Sequence, residues 1–132
     1  MDGAELKTKL RFLGISEQEF ASRLNVPLTT VKAWQNNQTP IPKTAVDSIE
    51  RSWWLNQEKI RDVVKYCEQM EDERGCPPDT VQLSIFKTGE SHHKADPGQT
   101  WAEHTAEVGS ILSVLCFEGL DVTVSYAPEE AV

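Results

Sequence analysis

Apolar positions recur at helical spacing through the first half of the chain and at strand spacing towards its end. In AELKTKLRFL, residues 4–13, Leu6, Leu10 and Leu13 stand four and three apart, which predicts a helix that Gly14 ends. SEQEFASRL follows. Ser16 with Glu19 three residues on has the pattern of a capping box, and Phe20, Ala21 and Leu24 line an inner face. After Val26-Pro27 a third helix places Val31 and Trp34 on one side. Asn25 and Asn37 stand where the chain must turn through left-handed backbone, which asparagine tolerates better than any residue but glycine. Pro42 suits the first turn of a further helix, with Val46, Ile49 and Trp53 at three and four. Beyond Asn56 the stripe continues through Ile60, Val63, Val64, Cys67 and Met70 to a stop at Gly75 and Pro77-Pro78.

The period then changes. TVQLSIF alternates Val81, Leu83 and Ile85 inward and predicts a strand; KTGESHHKADPGQ reads as a polar loop. TWAEHTAEVGSILSVLCF carries Trp101, Val108, Ile111, Leu112 and Leu115 at helical spacing up to Gly119, and LDVTVSY alternates Leu120, Val122, Val124 and Tyr126 as a second strand. Two strands and one helix bury too little alone. This tail should complete its core against the helix at 57–74, against a second copy of itself, or both. The pattern predicts a mainly α protein with a small α+β tail. A module of five helices, or four if residues 43–74 run unbroken, occupies residues 1–74, and a β-α-β region occupies 75–132.

Composition changes this picture in one respect. No apolar run approaches the roughly 18–20 residues that could span a bilayer, and MDGAELKTKL lacks the apolar core of a signal peptide, so a cytoplasmic protein without a membrane partner is expected. Cys67, Cys76 and Cys116 form no CxxC and read as free thiols in a reducing compartment. The formal charge is −8, but it is unevenly spread: residues 1–65 carry +2 and residues 66–132 carry −10. Since salt confines surface charges to about 8–10 Å, the average does not bar the first half from nucleic acid.

Three short helices with a tight turn between the second and third form the helix-turn-helix layout. Its demands are physical: a small residue at Ala21 for close helix approach, a sharp turn at Asn25, and Val31 and Trp34 as inward anchors. ISEQEFASRLNVPLTTVKAWQNNQTPIP resembles the Cro/CI-type (XRE) helix-turn-helix regulators over roughly residues 4–65. WQNNQTPIPKTAVDSI followed by a helix and a strand-helix-strand tail resembles a narrower branch, the YdiL-like and anti-CRISPR-associated repressors.

The resemblance implies a sequence-specific transcriptional regulator, an autoregulating repressor with a C-terminal dimerisation domain, bound as a homodimer to an inverted repeat in double-stranded DNA. It implies that Leu28, Thr29, Lys32 and Ala33 face base edges, that Ser16 and Gln18 meet phosphate, and that Asn36, Asn37, Gln38 and Lys43 hold backbone around the following turn. The chemistry agrees: lysine donates to the O6/N7 edge of guanine, and threonine bonds a base or phosphate and packs its methyl on thymine. The sequence departs from the family at Glu17, where glutamine is common, at Gln35 and Asn37, and in having no arginine on the third helix.

Other chemistry has less to stand on. Adjacent His92 and His93 in a polar loop, and His104 on a later helix, lack the spacing and thiolates of a zinc site, so a solvated loop is expected and no metal or cofactor. Ser110 and Ser113 have no base at a defined offset, and no enzymatic activity is expected. The alternative class is a protein-interaction module, an antitoxin-like partner that binds a basic protein through the acidic C-terminal half.

Overall fold

A computed structural model describes residues 1–75, 80–89, 92 and 98–128. The chain divides into two compact units, Met1–Asn56 and Gln57–Val132, and the division falls inside one long helix.

The first unit holds α1 (Gly3–Leu13), α2 (Glu17–Leu24), α3 (Leu28–Gln35) and the beginning of α4 (Lys43–Arg74). α1 starts where the Asp2 carboxylate accepts from the Ala4 amide at 2.7 Å, and it ends at Gly14, whose φ of 74° only a glycine adopts at no steric cost. Leu6, Leu10, Leu13, Ile15, Phe20, Ala21, Val31, Trp34, Ala45 and Ile49 form a single buried cluster, with Leu24, Val26, Ile41 and Trp53 packed around it. In the first-unit part of α4 the buried positions are Ala45, Ile49 and the polar Asn56, and Val46 is half-buried. Of the adjacent tryptophans, Trp53 leans on Phe12 with ring centroids 5.1 Å apart, whereas Trp54 is exposed.

α4 runs unbroken over 32 residues, so the helices before residue 75 number four and not five. Asn56 and Gln57 interrupt the apolar stripe, but neither residue type breaks a helix. The second unit therefore begins within α4: Ile60, Val63 and Val64 pack against a core of Cys67, Ile111 and Leu115, together with Val81, Leu83, Leu120 and Val122. This is the core completion against residues 57–74 that the small size of the tail demands.

The remaining elements are β1 (Val81–Ile85), α5 (Trp101–Phe117) and β2 (Val122–Tyr126). β1 and β2 pair in parallel, Val81 opposite Val122 and Ile85 opposite Tyr126. α5 opens on a full capping box: Thr100 accepts from the Glu103 amide, and the Glu103 carboxylate accepts from the Thr100 amide, both at 3.1 Å. Gly75 and Gly119 follow their helices with φ of 75° and 84°. Pro77-Pro78 lie outside the described residues, as do Cys76 and His93. Cys67 is a buried free thiol, its pKa pushed up by burial, and Cys116 an exposed one. No helix among the described residues is long and apolar enough to cross a membrane.

Candidate nucleic-acid interface

The three short helices of the first unit and the turns between them are built from local chemistry. Ser16 caps α2 by accepting from the Glu19 amide at 3.0 Å, and the Glu19 carboxylate engages Arg23 at 3.1 Å. Ile15 before the cap and Phe20 after it occupy the positions of a hydrophobic staple, and both are buried. At the other end Asn25 adopts φ 56° and ψ 45°. Its amide bonds the Ser22 carbonyl at 3.1 Å, and the Val26 amide bonds the Ala21 carbonyl at 3.0 Å, which closes the helix as a Schellman turn. Ala21 is buried in the cluster that α2 and α3 share, where a larger side chain would hold the helices apart.

Pro27 then extends the chain at φ −64° and ψ 149° and leads into α3 without a side-chain cap. Val31 and Trp34 are buried and fix the roll of α3 about its axis. Thr29, Lys32 and Asn36 fall three and four apart on the opposite side, and all three are exposed. Leu28 and Ala33, which flank that stripe, are half-buried. Ser16 and Gln18 are exposed at the start of α2, and Gln38 and Lys43 are exposed on either side of the loop that leaves α3.

Asn37, exposed beyond the end of α3, also bonds within the fold. Its φ is 58°, as its place in the sequence predicts. Its Oδ1 accepts from the Gly3 amide at 2.9 Å, and its Nδ2 donates to Asp2 at 3.3 Å. Gly3 itself is buried, and a Cβ there would overlap the carbonyl oxygens of Trp34 and Gln35. The N-terminus of α1 thus sits directly on the end of α3. The helix start in MDGAEL is visible in the Asp2 cap, but the close approach of Gly3 has no local signal.

The electrostatics of the first unit are mixed. Lys32, Lys43, Lys7, Arg11 and Arg51 are exposed cations. Lys9 is drawn away by Glu50 at 2.7 Å and Glu5 at 3.5 Å. Glu17 and Glu19 in the first turn of α2 favour the positive end of that helix's dipole. The same placement puts carboxylates beside Ser16 and Gln18.

In the second unit one expectation is corrected. His92 is buried rather than solvated. Its ring stacks on His104 at 5.1 Å, and Phe86 packs on both, 5.5 Å from His92 and 5.1 Å from His104. His92 Nε2 lies 3.3 Å from Gln99 Oε1, Gln99 donates to Glu107 at 2.6 Å, and Glu107 pairs with Lys59 at 3.1 Å. Among the described residues no group of three or more His, Cys, Asp or Glu is placed to hold a metal ion. No protein-family model matches the chain, and no curated protein matches it in sequence.

Proposed function

We propose that the chain is a sequence-specific regulator of transcription, a repressor that binds double-stranded DNA as a homodimer on an inverted repeat. The observation that carries this reading is α3: Val31 and Trp34 anchor one side in the core, and Thr29, Lys32 and Asn36 stand exposed on the other. A helix held this way can lie in a major groove without rolling.

Each residue then has a role. Lys32 donates to the O6/N7 edge of guanine, Thr29 bonds a base or phosphate, and Leu28 and Ala33 supply apolar contact to thymine methyls. Ser16, Gln18, Asn36, Gln38 and Lys43 hold phosphates on either side and set the register of the helix in the groove. Asn37 acts through Gly3, by fixing the end of α3 against α1. One such helix reads only a few base pairs, so specific affinity calls for two copies a helical turn apart.

Selection of the full-length protein against a pool of random duplexes tests the reading. The expected result is enrichment of an inverted repeat with half-sites about 10–10.5 base pairs apart, or a multiple of that spacing. Recovery of no common sequence, at low as well as physiological salt, would overturn it.

A further inference from the structure

The second unit has a strand whose outer edge has no partner among the described residues. The Val81 amide donates to the Asp121 carbonyl at 2.8 Å, and the Ala127 amide donates to the Ile85 carbonyl at 2.7 Å. Backbone groups alternate sides along a strand, so Asp121, Thr123, Ser125 and Ala127 point their amides and carbonyls towards β1. Val122, Val124 and Tyr126 point theirs away from it.

The side chains of those same three residues lie on the apolar face of the sheet, because their register partners are Val81, Leu83 and Ile85. There the strands differ. Val81, Leu83 and Ile85 are all half-buried, but on β2 only Val122 is covered, with Val124 at 41% and Tyr126 at 61% exposure. The unfinished part of the core is therefore on the β2 side. Edges are ordinarily blunted by charge, proline or bulges. VTVSY has none of these.

We propose that β2 pairs antiparallel with β2 of a second copy about a two-fold axis at Val124, giving a four-stranded sheet in the order β1-β2-β2-β1. This rests on the dimeric reading above and names the surface that makes the dimer. The strand is self-complementary about that point. Val124 meets Val124 of the second copy and Val122 meets its Tyr126, both on the apolar face. Thr123 meets Ser125 on the polar face, where cross-strand hydroxyls bond each other. The outward groups of Val122, Val124 and Tyr126 all fall in the closely bonded pairs of an antiparallel ladder, so the five-residue strand closes six hydrogen bonds. Moving the axis one residue towards the C-terminus sets Pro128, which has no amide proton, against Val122. The occupant is a second copy because one five-residue edge answers its own pattern of apolar and hydroxyl positions without any charge to oppose it.

Cysteine cross-linking tests the placement in the full-length protein, with Cys67 replaced by alanine and Cys76 and Cys116 by serine. In the proposed register Val124→Cys brings two thiols onto Cα atoms about 5.5 Å apart, within the range a disulfide spans. Val122→Cys leaves its two copies about 14 Å apart. Mild oxidation should link the first variant and leave the second unlinked. Val124→Pro, which removes an amide proton that β1 does not use, should keep the far-ultraviolet spectrum and raise the dimer's dissociation constant about tenfold or more. A protein that sediments as a dimer while Val124→Cys links no faster than Val122→Cys would overturn the β2 interface and leave the dimeric reading standing. A monomer at concentrations that saturate an operator would overturn both.

Discussion

The amide of Gly3 donates to Asn37 Oδ1 at 2.9 Å, joining the first turn of α1 to the residue just beyond α3. The bond satisfies a helix N-terminal amide that has no partner within its own helix. It also holds a buried glycine where no side chain fits. The orientation of α3 is thereby set from both ends, by the Schellman turn at Asn25 and by this clasp.

Asn37→Ala removes the acceptor and puts alanine into left-handed backbone, so a loss of about 2–3 kcal/mol is expected. Asn37→Gly removes the acceptor alone and should cost about half as much. Gly3→Ala forces a methyl group against two backbone carbonyls and should cost at least about 1–3 kcal/mol. Urea unfolding midpoints check all three. An Asn37→Gly protein no more stable than Asn37→Ala would place the whole effect in the side-chain bond.

Lys32 and Lys43 are both exposed, yet they should fail differently. Lys32→Ala is expected to relax base preference at one position of each half-site, worth about 1–3 kcal/mol of discrimination. Lys43→Ala should weaken binding evenly across sequences and make the salt slope shallower by about one for each phosphate no longer neutralised. Titrations of an operator and its single-base variants at two salt concentrations separate the two roles.

Glu17 sits in the first turn of α2 beside the proposed phosphate donors. Glu17→Gln should therefore tighten DNA binding, with the gain shrinking as salt rises because the repulsion it relieves is screened. The same change should slightly lower thermal stability by removing a favourable charge from the helix N-terminus. Opposite signs in the two measurements are the expected signature.

Lys9 donates to Glu50 at 2.7 Å, and that bond, with the charges of Glu50 and Glu5, raises its pKa above the ordinary lysine value despite the opposing effect of burial. A cation whose folded pKa is raised stabilises the fold below the unfolded pKa and loses that contribution as pH climbs through the folded one. Glu50→Gln should accordingly cost up to about 1 kcal/mol at neutral pH, since Glu50 is half exposed and screened. The difference from the parent protein should close only above about pH 10. Denaturation midpoints from pH 7 to 11 read it directly.

The helices of the first unit are legible in residue order because burial itself creates the three-and-four spacing of Leu6, Leu10 and Leu13. The two left-handed asparagines are equally legible, since few side chains accept that backbone. The continuity of α4 is less so: Asn56 and Gln57 look like an interruption when polarity stands in for structure. The burial of His92 is hidden for a related reason. Its neighbours in sequence are polar, and the partners that bury it, Phe86 and His104, lie six and twelve residues away on other segments. Strand alternation, likewise, marks Val124 and Tyr126 as inward without disclosing that the core stops short of them. Local pattern reports which way a residue wants to face, and only the packed fold reports whether anything meets it.

The tryptophans give the two units separate optical signatures. Trp34 is buried at the back of α3, and Trp53 and Trp54 share the same unit, whereas Trp101 is the sole indole of the other. In a Trp101→Phe protein, fluorescence follows melting of the first unit alone. In a protein that keeps only Trp101, the emission follows the α/β unit, and the two melting curves show whether the halves unfold together.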